Sequence, residues 1–167
     1  MSMLIRWRDG AARAASDPFA AVADDQAVPD GDVIVSLDRF QAEGEHLLAE
    51  GRRVGVRVAP GEAVEALAYD LPRIALVALE FPKFRDGRAY SAARVLRERL
   101  AYGGEVRAVG DVLVEQARFM VRCGFDVFEP ADGATPAEWT RAAERFRHVY
   151  QRAADQWAPA FAARIAP

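Results

Sequence analysis

A chain of 167 residues with 51% hydrophobic and 28% charged side chains holds enough apolar material for one packed core, which excludes wholesale disorder and predicts one domain over residues 1–167. Its net charge of −3, with many arginines beside one lysine, speaks against a nucleic-acid binder, which would carry a basic balance. The single cysteine, Cys123, excludes an internal disulfide, a four-cysteine zinc site and a self-contained iron–sulfur cluster.

Residues 4–8 predict a short strand closed by the turn pair Asp9-Gly10. No secretory apolar segment opens the chain, and no apolar run approaches the roughly 18 residues of a membrane span, so a cytoplasmic protein with no membrane partner is expected. Residues 11–32 are rich in Ala, Asp and Pro and are broken by Pro18, Pro29 and Asp30-Gly31. They read as a long irregular loop with one helical turn around residues 19–23. Apolar, β-branched runs then appear at 33–37, 54–58, 74–79, 106–109 and 127–128, alternating with helix-compatible segments. That rhythm marks a parallel sheet. The predicted fold is α/β: a single three-layer domain with a mainly parallel sheet of about five strands and a long C-terminal helix. A partial β/α barrel has the same rhythm and is the alternative. In this division residues 1–32 form the first strand and loop, 33–130 the βα units and 135–158 the last helix.

The helix ends carry signals. Asp38 is placed to cap a helix over 39–50, with Gly51 behind it. Gly103-Gly104 stop a helix over 91–102, and Asp111 opens one over 112–123 that Gly124 closes. Thr135-Pro136-Ala137-Glu138 is a capping box with proline in the first helical position. Behind it Trp139, Ala143, Phe146, Tyr150, Ala153 and Trp157 fall at helical spacing and predict one apolar seam, for the core or for a homodimer.

Between Lys83 and Arg107 stand seven basic and three acidic residues. A basic island in an acidic chain focuses anions, although a solvated helix face has the same composition. The strand ending at Leu79 runs into a loop from Glu80 to Arg88, and the strand ending at Val109 runs into Gly110-Asp111. In a parallel sheet this places Lys83, Asp86, Arg88 and Asp111 at the carboxyl edge, where ligands bind. Lys83 offers a compact cation and Arg88 a forked donor, whereas Asp86-Gly87 also suits a tight turn. On the following helix Tyr90, Arg94 and Arg97 share one face. The ligand-binding candidates are therefore Lys83, Arg88, Tyr90, Ser91, Arg94, Arg97 and Gln116, and the catalytic candidates are Lys83, Asp86 and Asp111.

Arg99 falls among apolar positions, with Glu80 or Asp111 as its expected partner. In the next helix Leu113, Ala117 and Met120 define the buried face. Cys123, at the end of that helix, reads as a small core residue, and His46 and His148 as surface or packing histidines. No G-x-G-x-x-G, Walker-type or metal-ligand spacing occurs, so no motif for NAD, ATP, zinc or iron–sulfur specifies a cofactor.

Phe81-Pro82-Lys83-Phe84, Asp86-Gly87-Arg88, Tyr90-Ser91, Arg94, Leu96-Arg97-Glu98-Arg99-Leu100, Arg107-Ala108-Val109-Gly110-Asp111-Val112 and Arg122-Cys123-Gly124-Phe125-Asp126 together resemble a bacterial, mainly proteobacterial, family of uncharacterised proteins encoded beside sulfite reductase. The resemblance is strong in the second half of the chain. It implies a probable oxidoreductase or accessory protein in sulfite reduction, and as partner a small anionic ligand or sulfite reductase itself. The sirohaem-bearing catalytic subunit is excluded, because one cysteine cannot hold its cluster. Three expectations stand: an accessory protein of assimilatory sulfite reduction binding an anion or the reductase through residues 81–97, an enzyme acting on an anionic sulfur metabolite, and a structural dimer joined through the last helix.

Overall fold

The structure, a computed structural model, describes residues 4–146 and 148–163. Strand β1 (Leu4–Arg8) turns at Asp9-Gly10 into β2 (Ala11–Ala15). Both turn residues have positive φ, 52° and 76°, the geometry that matches the twist of a two-residue hairpin. After β3 (Ala20–Ala21) come β4 (Val33–Ser36), α1 (Leu37–Ala49), β5 (Val54–Val58), a 3₁₀ turn (Val64–Leu67) and β6 (Leu76–Phe81). The second half holds α2 (Arg88–Arg94), β7 (Glu105–Gly110), a 3₁₀ turn (Val114–Gln116), α3 (Ala117–Cys123), β8 (Val127–Phe128), α4 (Pro136–Ala143) and α5 (Ala160–Ala163).

Among the described residues the strands form one eight-stranded sheet in the order β2-β1-β8-β7-β6-β5-β4-β3, curled as a half-barrel. From β3 to β8 each strand lies parallel to its predecessor in the chain, while β1 is antiparallel to both β8 and β2. Because the order from β3 to β8 never reverses, right-handed crossovers carry α1, α2 and α3 to the same face of the sheet. The core accordingly gathers Phe40 and Leu47 of α1, Ala89 and Ala93 of α2, Met120 and Cys123 of α3 and Trp139 of α4 against Val35, Val56, Val77, Leu79 and Ala108 of the strands. The three-layer expectation is thus corrected to one helical layer on a curled sheet, closer to the partial-barrel alternative.

The other face of the sheet is closed by the segment after β2. Ile34, Leu76 and Ala78 form a second apolar cluster joined by Phe19 and Val109. Gly55 makes room for it, since a Cβ there would lie 2.7 Å from Leu76 Cγ. Beside it Arg107, only 2% exposed, donates to Asp17 at 2.6 Å and to Glu105 at 2.8 Å. Residues 17–19 are therefore a strap held by a buried guanidinium, where the sequence suggested an irregular loop with a helical turn around residues 19–23. Alanine strands, whose side chains give little packing contrast, concealed β2 and β3.

Helix starts and stops also shift. Ser36, not Asp38, caps α1, its Oγ accepting from Arg39 N at 3.1 Å. The helix after β6 begins at Arg88 and loosens into a π turn over Val95–Arg99, with Leu100 N bonded to Val95 O. The capping box at Thr135 and Glu138 forms as expected, but α4 ends at Ala143, and no long C-terminal helix follows among the described residues. Arg118 takes the Ala143 and His148 carbonyls at 3.1 and 3.3 Å, drawing the chain back across α3. Trp139 and Ala143 are buried, whereas Phe146, Tyr150 and Trp157 are exposed, so the predicted seam is not continuous. Trp139 stacks on Phe128 with ring centroids 4.6 Å apart. A Trp139→Glu change would bury a carboxylate there and would read out folding, not association.

Candidate functional site

The site is built from the carboxyl ends of β6 and β7, which end in register with Phe81 opposite Gly110. Gly110 has φ +95°, and a Cβ there would lie 2.4 Å from Phe81 O. Only glycine lets the chain turn this close, and Asp111 N then donates to Phe81 O at 2.7 Å. Asp111 does not start the next helix. Its Oδ2 accepts from Phe84 N at 2.7 Å, fixing the loop after β6. Gln116, 7% exposed, completes the support: its Oε1 accepts from Leu113 N at 2.9 Å, and its Nε2 donates to Tyr90 Oη at 2.9 Å and Phe84 O at 3.4 Å. Because Gln116 supplies the proton of that contact, the Tyr90 hydroxyl proton is left free to donate outward. Burial pushes the Tyr90 phenol up to about 12, so it stays neutral.

Asp86 closes a turn with its N–H on Lys83 O at 2.9 Å and accepts from Arg88 N, Nε and Nη2 at 3.1, 3.0 and 2.6 Å. The Arg88 guanidinium lowers its pKa from the ordinary carboxylate value to about 2. A carboxylate this acidic is a weak proton acceptor at neutral pH. NMR titration of the Asp86 carboxyl should show a midpoint near 2, returning toward about 4 in Arg88→Gln. Because the folded value is depressed, the stabilisation from this pair is present above the unfolded carboxylate pKa and is lost as pH falls toward about 2.

The arginines of the basic island divide by role. Arg97 points inward: Nε donates to Gly124 O at 2.9 Å, Nη1 to Tyr102 O and Gly104 O at 2.6 and 2.7 Å, and Nη2 lies 3.3 Å from Asp126. Arg99 pairs with Glu65 at 3.4 Å, correcting the expected Glu80 or Asp111 partner. Arg94 pairs with Glu98 at 2.9 Å. Lys83 and Arg85 are exposed, with no acidic partner among the described residues.

Two depressions flank α2, and Ser91 lies on the ridge between them. On one side is a cleft of about 240 Å³ walled by the end of β5, the loop after it and α2, with Arg88 at its mouth. On the other is a groove of about 380 Å³ between α2, α3 and residues 150–153, lined by Tyr90, Ser91, Arg94, Phe119, Arg122 and Arg152. Of the predicted ligand residues, Tyr90, Ser91 and Arg94 meet in this groove, Gln116 supports it from below, and Lys83 borders neither depression. Arg122 is held by Asp155 at 3.1 Å; Arg152 has no acidic partner among the described residues. Cys123 lies at the groove floor, its thiol pushed up to about 11 by burial and therefore inert.

Sequence reading missed Phe119, Arg122, Tyr150 and Arg152. Phe119 had a signal, as a large aromatic on the polar face of α3, 57% exposed and stacked edge-on against Tyr90 at 4.6 Å. Tyr150 and Arg152 had none, because they reach the groove only where the chain leaves α4. Among the described residues no group of three or more His, Cys, Asp or Glu side chains is gathered for a metal ion, and no helix is long and apolar enough to cross a membrane.

No curated protein matches the chain. The family described as bacterial protein of unknown function (DUF934) matches residues 55–161, from β5 through the groove to α5. Since that match covers the strands, loops and helices that build both depressions, the protein belongs to this bacterial family, DUF934.

Proposed function

We propose that the protein is an accessory binding protein of assimilatory sulfite reduction that receives an anionic group in the groove between α2 and α3. The observation that carries the reading is Arg152, without an acidic partner among the described residues, facing the same groove as Arg94 and Arg122. Ser91 and the Tyr90 hydroxyl add neutral donors beside them, as oxyanion and carboxylate recognition requires. The place in sulfite reduction rests on the resemblance of residues 81–126 described above. The group is a small oxyanion or an acidic side chain of the reductase.

Thermal melting at low ionic strength distinguishes these. A small-oxyanion site predicts that sulfite, sulfate or phosphate raises the wild-type Tm, with the rise lost in Arg94→Ala/Arg152→Ala. A reductase site predicts no such rise and co-sedimentation with the purified reductase that falls steeply with salt. The absence of both a melting shift and co-sedimentation would overturn the reading. Deletion of the gene should abolish growth on sulfate but not on sulfide; equal growth on both would overturn the pathway.

A further inference from the structure

The cleft on the opposite side of α2 is a separate depression with its own chemistry. Its walls are mainly apolar, with Glu80 beside them: Val58 and Leu79 come from the strand ends, Val64 comes from the 3₁₀ turn, and Ala89, Ala92 and Val95 come from the helix. The mouth carries charge of both signs. Arg88 spends Nε and Nη2 on Asp86, which leaves Nη1 without a partner, and Nη1 reaches across to the loop, where a Cβ on Gly61 would lie 3.4 Å from it. On the facing lip Glu62 caps its own turn with one oxygen, accepting from Ala59 N at 2.6 Å, so the other oxygen is free. Glu65 likewise meets Arg99 with one oxygen only. At about 240 Å³ the space is below the roughly 300–1,000 Å³ of sites for drug-sized ligands.

We propose that this cleft binds a small zwitterion with an apolar body, of the α-amino-acid class. The apolar side chain enters between Val58, Leu79 and Val95. The carboxylate meets Arg88 Nη1 at the helix lip, and the ammonium meets the free oxygens of Glu62 and Glu65 at the loop lip. A ligand with one charge would leave one lip unpaired.

Isothermal titration of the full chain with L-valine, L-leucine and L-methionine tests this. At least one should bind with a Kd of about 1 mM or tighter. Isobutylamine and isovalerate, each keeping one charge on a similar body, should bind at least about tenfold more weakly. Ala92→Phe, which fills the cleft, and Arg88→Gln, which removes the donor at the mouth, should each abolish binding. Arg88→Gln is exposed and decides the matter if Ala92→Phe does not fold. The melting response of the wild type to oxyanions, which belongs to the groove, should be unaffected by saturating amino acid. The proposal is overturned if none of the three amino acids binds, if the single-charge analogues bind equally well, or if Arg88→Gln retains wild-type affinity.

Discussion

An Arg97→Ala variant is expected to lose about 3–5 kcal/mol of unfolding stability, because the change leaves Tyr102 O, Gly104 O and Gly124 O without their charged donor and Asp126 without its cation. For a domain of this size that is a fall in Tm on the order of 10 °C, measurable by calorimetry and by urea denaturation. Arg97→Lys should recover only part of the loss, since one ammonium cannot span four acceptors arranged around a planar fork. The deficit depends on pH in a defined sense. Burial already raises the Asp126 pKa and Arg97 opposes the rise. Without the arginine the folded pKa climbs further above the unfolded value. The folded state then holds a proton that the unfolded state releases, so the deficit narrows as pH falls through the folded Asp126 pKa. A loss below about 1 kcal/mol would mean that water replaces the guanidinium on all three carbonyls, and that the staple is dispensable.

A Gly110→Ala variant is expected to cost about 2–4 kcal/mol, through left-handed backbone strain and a methyl group forced toward a carbonyl oxygen of the neighbouring strand. Backbone cannot swing aside as a flexible side chain would. The end of β7 must therefore draw away from β6, breaking the Asp111 N–H bond to Phe81 and loosening the Asp111 carboxylate from Phe84. Amide hydrogen exchange should show this locally, with the Asp111 and Phe84 amides losing protection while Val77 and Leu79, mid-strand in β6, keep theirs. Uniform loss of protection would mean global destabilisation instead.

Much of the sheet was legible because β-branched runs at Val33, Val54, Val77, Val106 and Val127 follow from a chain that buries both faces of its central strands. The convergence of Asp111 with the loop after β6 was also legible, since parallel strands bring their carboxyl ends to one edge. The strap was not, because a buried arginine at 107 meeting Asp17 is a pairing of tertiary placement, with no local pattern to announce it. Nor was the inward turn of Arg97, which depends on where the chain after its helix leaves the Tyr102 and Gly104 carbonyls and on the distant Gly124 carbonyl. Helical spacing after Ala143 misled for a physical reason: periodicity states what a helix would bury, but Arg118 of another element captures the carbonyls on which continuing the helix depends.

The pairing of β1 with β8 sets an order of events during synthesis. Ile5, made well before it, has its partner in Phe128. At translation rates of about 5–20 residues per second, the hairpin of β1 and β2 waits on the order of ten seconds before the strand it joins leaves the ribosome. Until then the growing sheet keeps β7 as an open edge, and the nascent chain is exposed to mispairing there. The N-terminal hairpin is the part of the sheet that docks last, although it is made before the strands it joins.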